Sequence, residues 1–188
     1  EQIMSVSPVL PVKFGTMFHS RANLTEFMGQ HRQRIECALE ELRDKAEWSV
    51  KGYLAEQEAR PIVAAADPAI QSRMVALSPS PGARYLQQKH LDVMIDTALR
   101  AWVTQMTHDL HEILARHAVA STALRCHSSA VTGRPERMVF NYSFLLIPTA
   151  LPDFRAVFLA QQHAYKETGV CLELRGPWPP YNFCPKLS

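Results

Sequence analysis

The sequence predicts an α+β fold, and three observations carry that prediction. Short segments in which apolar and polar residues alternate, the pattern of half-buried strands, are interspersed with longer segments whose apolar residues recur at helical spacing. Two of the strand segments follow one another with only a polar turn between them, which implies antiparallel pairing. The chain has 188 residues, 47% of them apolar, enough to bury a proper core.

The first strand segment, VLPVKFGTMF at residues 9–18, places Leu10, Val12, Phe14, Thr16 and Phe18 on one face. Ser20 is a suitable cap for the helix that follows to Arg43, with Leu24, Phe27, Met28, Ile35, Leu39 and Leu42 as its apolar side. AEWSVKGYL, residues 46–54, sets Trp48, Val50 and Leu54 against Glu47, Ser49, Lys51 and Tyr53, and predicts a strand. Residues 55–83 read as a connector broken by Pro61, Pro68, Pro79, Pro81 and Gly82, with a short helix at 67–77. From Ala83 a long helix is signalled by a stripe of period 3.6 through Ile95, Leu99, Trp102, Val103, Met106, Leu110, Ile113 and Leu114. STALRCHS (121–128) alternates weakly and MVFNYSFLLI (138–147) clearly. The polar SAVTGRPER between them makes the two an antiparallel hairpin. Residues 151–168 form the last helix, carrying Phe154, Val157, Phe158 and Tyr165 and closed by Gly169; VCLELRGPW, residues 170–178, is the final strand.

From Trp48 onward the order is strand, helix, strand, strand, helix, strand. That is the ferredoxin-like βαββαβ order, an antiparallel sheet with its helices on one face. On this reading residues 1–45 are the C-terminal part of a truncated N-terminal α+β domain, a strand-helix remnant, and residues 46–188 are a ferredoxin-like C-terminal domain with a Pro/aromatic tail. The opening residue, Glu1 rather than Met, fits a segment lying upstream.

Composition narrows the function. Twenty Lys and Arg against eighteen Asp and Glu leave a charge of +2, too balanced to point to nucleic acid or an anionic membrane. Cys37, Cys126, Cys171 and Cys184 lie far apart without a CxxC pair, so neither a disulfide framework nor a zinc ribbon is indicated, and a reducing cytoplasm is expected. The most apolar run, residues 144–147, stops at Pro148, far short of the ~20 residues of a membrane span.

Motifs for chemistry are sparse. HDLHEILARH sets His108 and Glu112 at i,i+4 with His111 beside them, but it is not HExxH and reads as a solvated helix face. SPSPGARYL leads into the long helix without the Lys-Ser/Thr of a phosphate loop. Cys126 and His127 are neighbours in sequence, which on a strand turns them to opposite faces and away from a nucleophile-base pair. Phe140, Tyr142 and Phe144 fit either a core or an RNA-stacking face, although the basic-Gly-aromatic pattern of the latter is missing. The expectation is a protein that is not an enzyme and has no catalytic residues, metal or cofactor.

The most specific sequence lies at the two ends. LPVKFGTMF, EWSVKGYL and LELRGPWPPYNF, in that order across residues 9–183, resemble the marker segments of the gas vesicle protein GvpF/GvpL family. The resemblance implies an accessory or minor structural protein of gas vesicles, acting in nucleation and assembly in the cytoplasm or on the vesicle. It would bind the shell protein GvpA and other accessory Gvp proteins. An alternative is a ferredoxin-like binding module for a small ligand or RNA. In the closing segment Gly176 is expected to let the strand leave the sheet. Three prolines then stiffen the exit, and Trp178, Tyr181 and Phe183 are either partner-binding anchors or a seal over the core.

Overall fold

The structure, a computed structural model, describes residues 7–12 and 15–185. Its centre is a four-stranded sheet of order β2-β3-β1-β4, antiparallel throughout. Strand β1 (Ala46–Leu54) lies between β3 (Arg137–Leu146) and β4 (Val170–Trp178), and the short β2 (Ala120–Ala123) flanks β3. The hairpin of β2 and β3 is present, but β2 is shorter than the segment 121–128 expected for it. Beyond Leu124 the Arg125 carbonyl accepts from Asn141 Nδ2 at 2.7 Å, a side-chain bond in place of a ladder bond.

No strand forms in residues 9–12 or 15–18, and Phe14 lies outside the described residues. Gly15 adopts φ +83°, and a strand is only as stable as the neighbour it pairs with, which these residues lack among the described elements. The helix expected over 20–43 is two helices, α1 (Arg21–Gln30) and α2 (Arg32–Glu41), which meet at His31 just after the weak helix former Gly29. Ser20 caps α1, its Oγ accepting from the Asn23 amide at 3.2 Å.

The expected connector is largely helical. Helix α3 (Glu56–Ala66) carries Pro61 in its second turn, where one intrahelical bond is lost, and buried Ala59, Val63 and Ala64 offset that loss. Helix α4 (Pro68–Val75) is capped by Asp67, whose Oδ1 accepts from the Ala69 and Ile70 amides, with Pro68 at the first helical position.

Helix α5 (Pro81–Ala115) has 35 residues and so runs about 52 Å, against about 30 Å for a nine-residue strand. Its second half covers the sheet. Leu99, Met106, Leu110 and Leu114 join Phe154 and Phe158 of α7 (Leu151–Tyr165) over Val50, Leu54, Phe140, Phe144 and Leu172 in one core. The first half overshoots the sheet and packs with α3 and α4 around Ala64, Ile70 and Leu91. A four-residue turn, α6 (Ser129–Thr132), precedes β3. Gly169 closes the chain after α7 at φ +76°, as its position in the sequence predicts. On the outer edge of β4, Gln162 of α7 donates through Nε2 to the Leu172 carbonyl at 2.8 Å. Among the described residues no helix is long and apolar enough to cross a membrane.

Candidate functional site

The path of β4 sets up the C-terminal tail. The ladder does not end at Gly176. It is irregular between Glu47 and Ser49 of β1 and resumes with Trp178 opposite Glu47, so the expected exit from the sheet comes two residues later. Gly176 has φ +150°, and the peptide to Pro177 is cis. A Cβ at Gly176 would stand 2.8 Å from Trp48 Cδ2 and 2.9 Å from the Glu47 carbonyl, so only glycine lets β4 approach this closely. Trp48 is correspondingly buried, with the Arg155 guanidinium 4.9 Å from its ring centre, a cation–π contact.

Past Trp178 the chain turns back on itself. Tyr181 and Phe183 donate their amides to the carbonyls of Pro179 (2.7 Å) and Pro180 (3.1 Å), and Cys184 Sγ donates to Pro180 at 3.0 Å. The turn is fastened to the sheet through Glu47, whose side chain is only 4% exposed. One carboxylate oxygen accepts from Ser143 Oγ at 2.7 Å and from Asn182 Nδ2, and the other accepts from the Asn182 amide at 2.9 Å. A buried carboxylate is costly unless donors surround it, and here the tail supplies two of the three. Burial pushes the Cys184 thiol up to about 11, the Glu47 charge adding to the effect.

This arrangement places Trp178 at the end of β4 and Tyr181 and Phe183 on the fastened turn that follows, the three in different states. Trp178 is 45% exposed and Tyr181 58%, while Phe183 is half-buried. Glu47, Ser143 and Asn182, which hold the turn, are not singled out by the sequence pattern. The available signal is an amide in a run of prolines and aromatics, and an acid between Ala46 and Trp48 in a strand.

Other candidate residues are not brought together. His108 is exposed and faces Glu112 at 3.7 Å, whereas His111 stacks on Tyr142 (4.5 Å between centroids) with Nε2 2.9 Å from Ser121 Oγ. No group of three or more His, Cys, Asp or Glu side chains among the described residues is placed to hold a metal. Cys126 and His127 lie past the end of β2 rather than on a strand, and partial burial pushes the Cys126 thiol up, away from a thiolate. Phe140 and Phe144 are buried beneath the helices with Tyr142 stacked beside them, so this row is core rather than a displayed platform. The opposite face of the sheet holds an open cleft of about 480 Å³ lined by Lys51, Tyr53, Arg134, Glu173 and Arg175 among others. Arg134 stacks 4.2 Å over the Tyr53 ring and pairs with Glu136 and Glu173.

Comparisons with known proteins converge on one family. The family described as "Gas vesicle synthesis protein GvpL/GvpF" matches residues 1–185. Gas vesicle protein L of Streptomyces sp. (strain CB03234) is 26% identical over 186 residues, covering 96% of this chain; the chain spans 64% of that relative's length. The crystal structure of gas vesicle protein GvpF from Microcystis aeruginosa aligns with a TM-score of 0.68 at 14% identity, over 97% of this chain and 73% of that one. GvpF from Anabaena sp. PCC7120 aligns with a TM-score of 0.73 at 15% identity, over 98% and 73%. At those identities the likeness is one of fold, a mixed arrangement of helices with an antiparallel four-stranded sheet.

Proposed function

The chain belongs to the gas vesicle synthesis protein GvpL/GvpF family, and from that premise we propose that it is an accessory or minor structural protein of gas vesicles. It acts in nucleation and assembly, in the cytoplasm and at the vesicle, by binding the apolar shell protein GvpA and other Gvp proteins rather than by catalysis. Its contact residues are Trp178, Tyr181 and Phe183.

One observation carries this reading. The exposed rings of Trp178 and Tyr181 stand on a backbone already fastened to a buried carboxylate. Large aromatics on a fixed frame lose little entropy on binding, which is what an interface anchor requires. A shell subunit with a strongly apolar face aggregates unless that face is covered, and such rings offer cover. In the same reading residues 1–45 belong to an N-terminal domain, and residues 46–188 form a ferredoxin-like domain. Support for the latter is the strand order, with α5 and α7 joined in one core over one sheet face.

The test is co-expression with GvpA followed by pull-down at low and high salt, comparing the parent with Trp178→Ala and Tyr181→Ala. Both rings are exposed, so both variants are expected to fold, which circular dichroism checks. Salt-resistant capture that is lost in the folded variants supports the proposal. Capture retained by both assigns the tail to sealing the core instead. No capture at all favours the second reading, a binding module for a small ligand or RNA, for which the cleft beside Lys51, Arg134 and Arg175 is the supporting feature.

A further inference from the structure

The cleft of about 480 Å³ on the outer face of the sheet has charges that do not balance. Strands β1 and β4 form its floor, the first with Lys51 and Tyr53 and the second with Glu173 and Arg175. Each pair is two residues apart on its strand and so shares a face, and the register sets Lys51 opposite Glu173. The wall is the turn around α6. Gly133 ends that turn at φ +69°, and the Arg134 amide donates back to Thr132 Oγ1 at 3.3 Å, which brings the Arg134 side chain into the cleft.

Opposite charges facing each other across an antiparallel ladder ordinarily pair. Lys51 and Glu173 do not. Arg134 donates to one oxygen of Glu173, and Arg175 donates to the other at 3.2 Å. Among the described residues the Lys51 ammonium is left with no ion pair and no hydrogen bond, although the residue is half-buried. Glu136 pairs with Arg134 at 3.3 Å from outside the lining, and even with it counted three cations face two carboxylates. Arg134 is fixed by these carboxylates and by the Tyr53 ring beneath it, so the cleft is set before any ligand arrives.

We propose that this cleft binds one phosphate group, free or carried by a small organic molecule, with Lys51 as its principal contact. The volume lies within the range of small-ligand sites. Charge selects the sign of the occupant, because an uncompensated ammonium in a concave surface raises the local concentration of anions. Donor number selects phosphate over carboxylate. The three ammonium protons and the guanidinium N–H groups that Glu173 leaves free are more than two carboxylate oxygens take up, and they suit the several oxygens of a phosphate. The Glu173 carboxylate on the floor holds the site to a single phosphate, since a nucleic-acid strand passing through the cleft meets its charge. The inference gives the cleft of the second reading a ligand class and does not depend on what the tail binds.

The experiment titrates the isotope-labelled whole chain with sodium phosphate, and separately with glycerol phosphate, while amide NMR shifts are followed at about 50 mM and about 500 mM sodium chloride. Saturable shifts confined to the cleft segments of β1 and β4 and to residues 127–134 are expected, with a Kd of about 1 mM or lower that rises with salt. Tighter binding of the ester assigns the site to a phosphorylated small molecule, and equal or weaker binding to the free anion; either result upholds a phosphate site. Lys51→Gln weakens binding at least about tenfold and Lys51→Arg keeps it within about threefold. Trp178→Ala leaves it unchanged, so loss of phosphate binding and loss of shell-protein capture are read separately. Lys51 has no side-chain partner to lose, so Lys51→Gln is expected to fold; Arg175→Gln, at a largely exposed side chain, is the second variant, with an expected loss of about threefold or more. Three results overturn the proposal: no saturable shift by about 10 mM of either probe, parental affinity in a folded Lys51→Gln, or tighter binding of a single-stranded oligoribonucleotide at the same residues.

Discussion

At the scale of single residues, Glu47 and Asn182 decide how the tail sits. Asn182 reaches Glu47 from 135 positions away, with two of the three donors the carboxylate receives. Asn182→Ala removes the side-chain donor and leaves the carboxylate under-satisfied, so urea unfolding is expected to show a loss of about 1.5–3 kcal/mol. Gly176→Ala forces a methyl group against the Trp48 ring and the Glu47 carbonyl at a strained φ, with an expected loss of about 2 kcal/mol or more. Cys184 adds a pH dependence. The fold raises its thiol pKa from 9.0 to about 11 and so favours the neutral form; its contribution to stability is complete below pH 9 and is lost as pH rises through 11. Alkylation by iodoacetamide at pH 8.5 should therefore be slower at Cys184 than at exposed Cys171. None of these contacts is legible in the sequence. Alternation along β1 put Glu47 on the polar face, which is correct, but its burial comes from a tail that no local pattern connects to it.

At the scale of elements, legibility followed the strength of the period. The bounds of β1 and β4 match the segments 46–54 and 170–178 read from alternation, and the α5 stripe identifies the side chains that enter the core. Errors cluster where one residue type carried too much weight. Proline alone predicts a break at Pro61, but a helix whose buried face is strong enough retains it, and alternation alone predicts a strand at 9–18, but none forms among the described residues there because pairing is what makes one. The core and the surface ties between elements should differ sharply in weight. Leu110→Ala, at a fully buried position of α5, is expected to cost about 2–5 kcal/mol. Arg60→Ala removes the partly exposed pairs of α3 with Asp92 and Asp96 and should cost no more than about 1 kcal/mol. Thermal melts of the two variants test that ranking.

For the whole molecule, the family was legible in three short segments spread over the chain, whereas the way the tail is fastened became visible only in three dimensions. The sheet edges have a consequence of their own. The long outer edge of β4 would otherwise be a template on which another chain could add as a fifth strand. Gln162 occupies the Leu172 carbonyl, Pro177 has no amide hydrogen to offer, and Glu173 and Arg175 put charge along the same strand; the opposite edge, β2, is only four residues long. Addition of a second copy edge to edge is therefore disfavoured on both sides of the sheet. On the proposed role, separate copies rather than a continuous sheet of them would meet a growing shell.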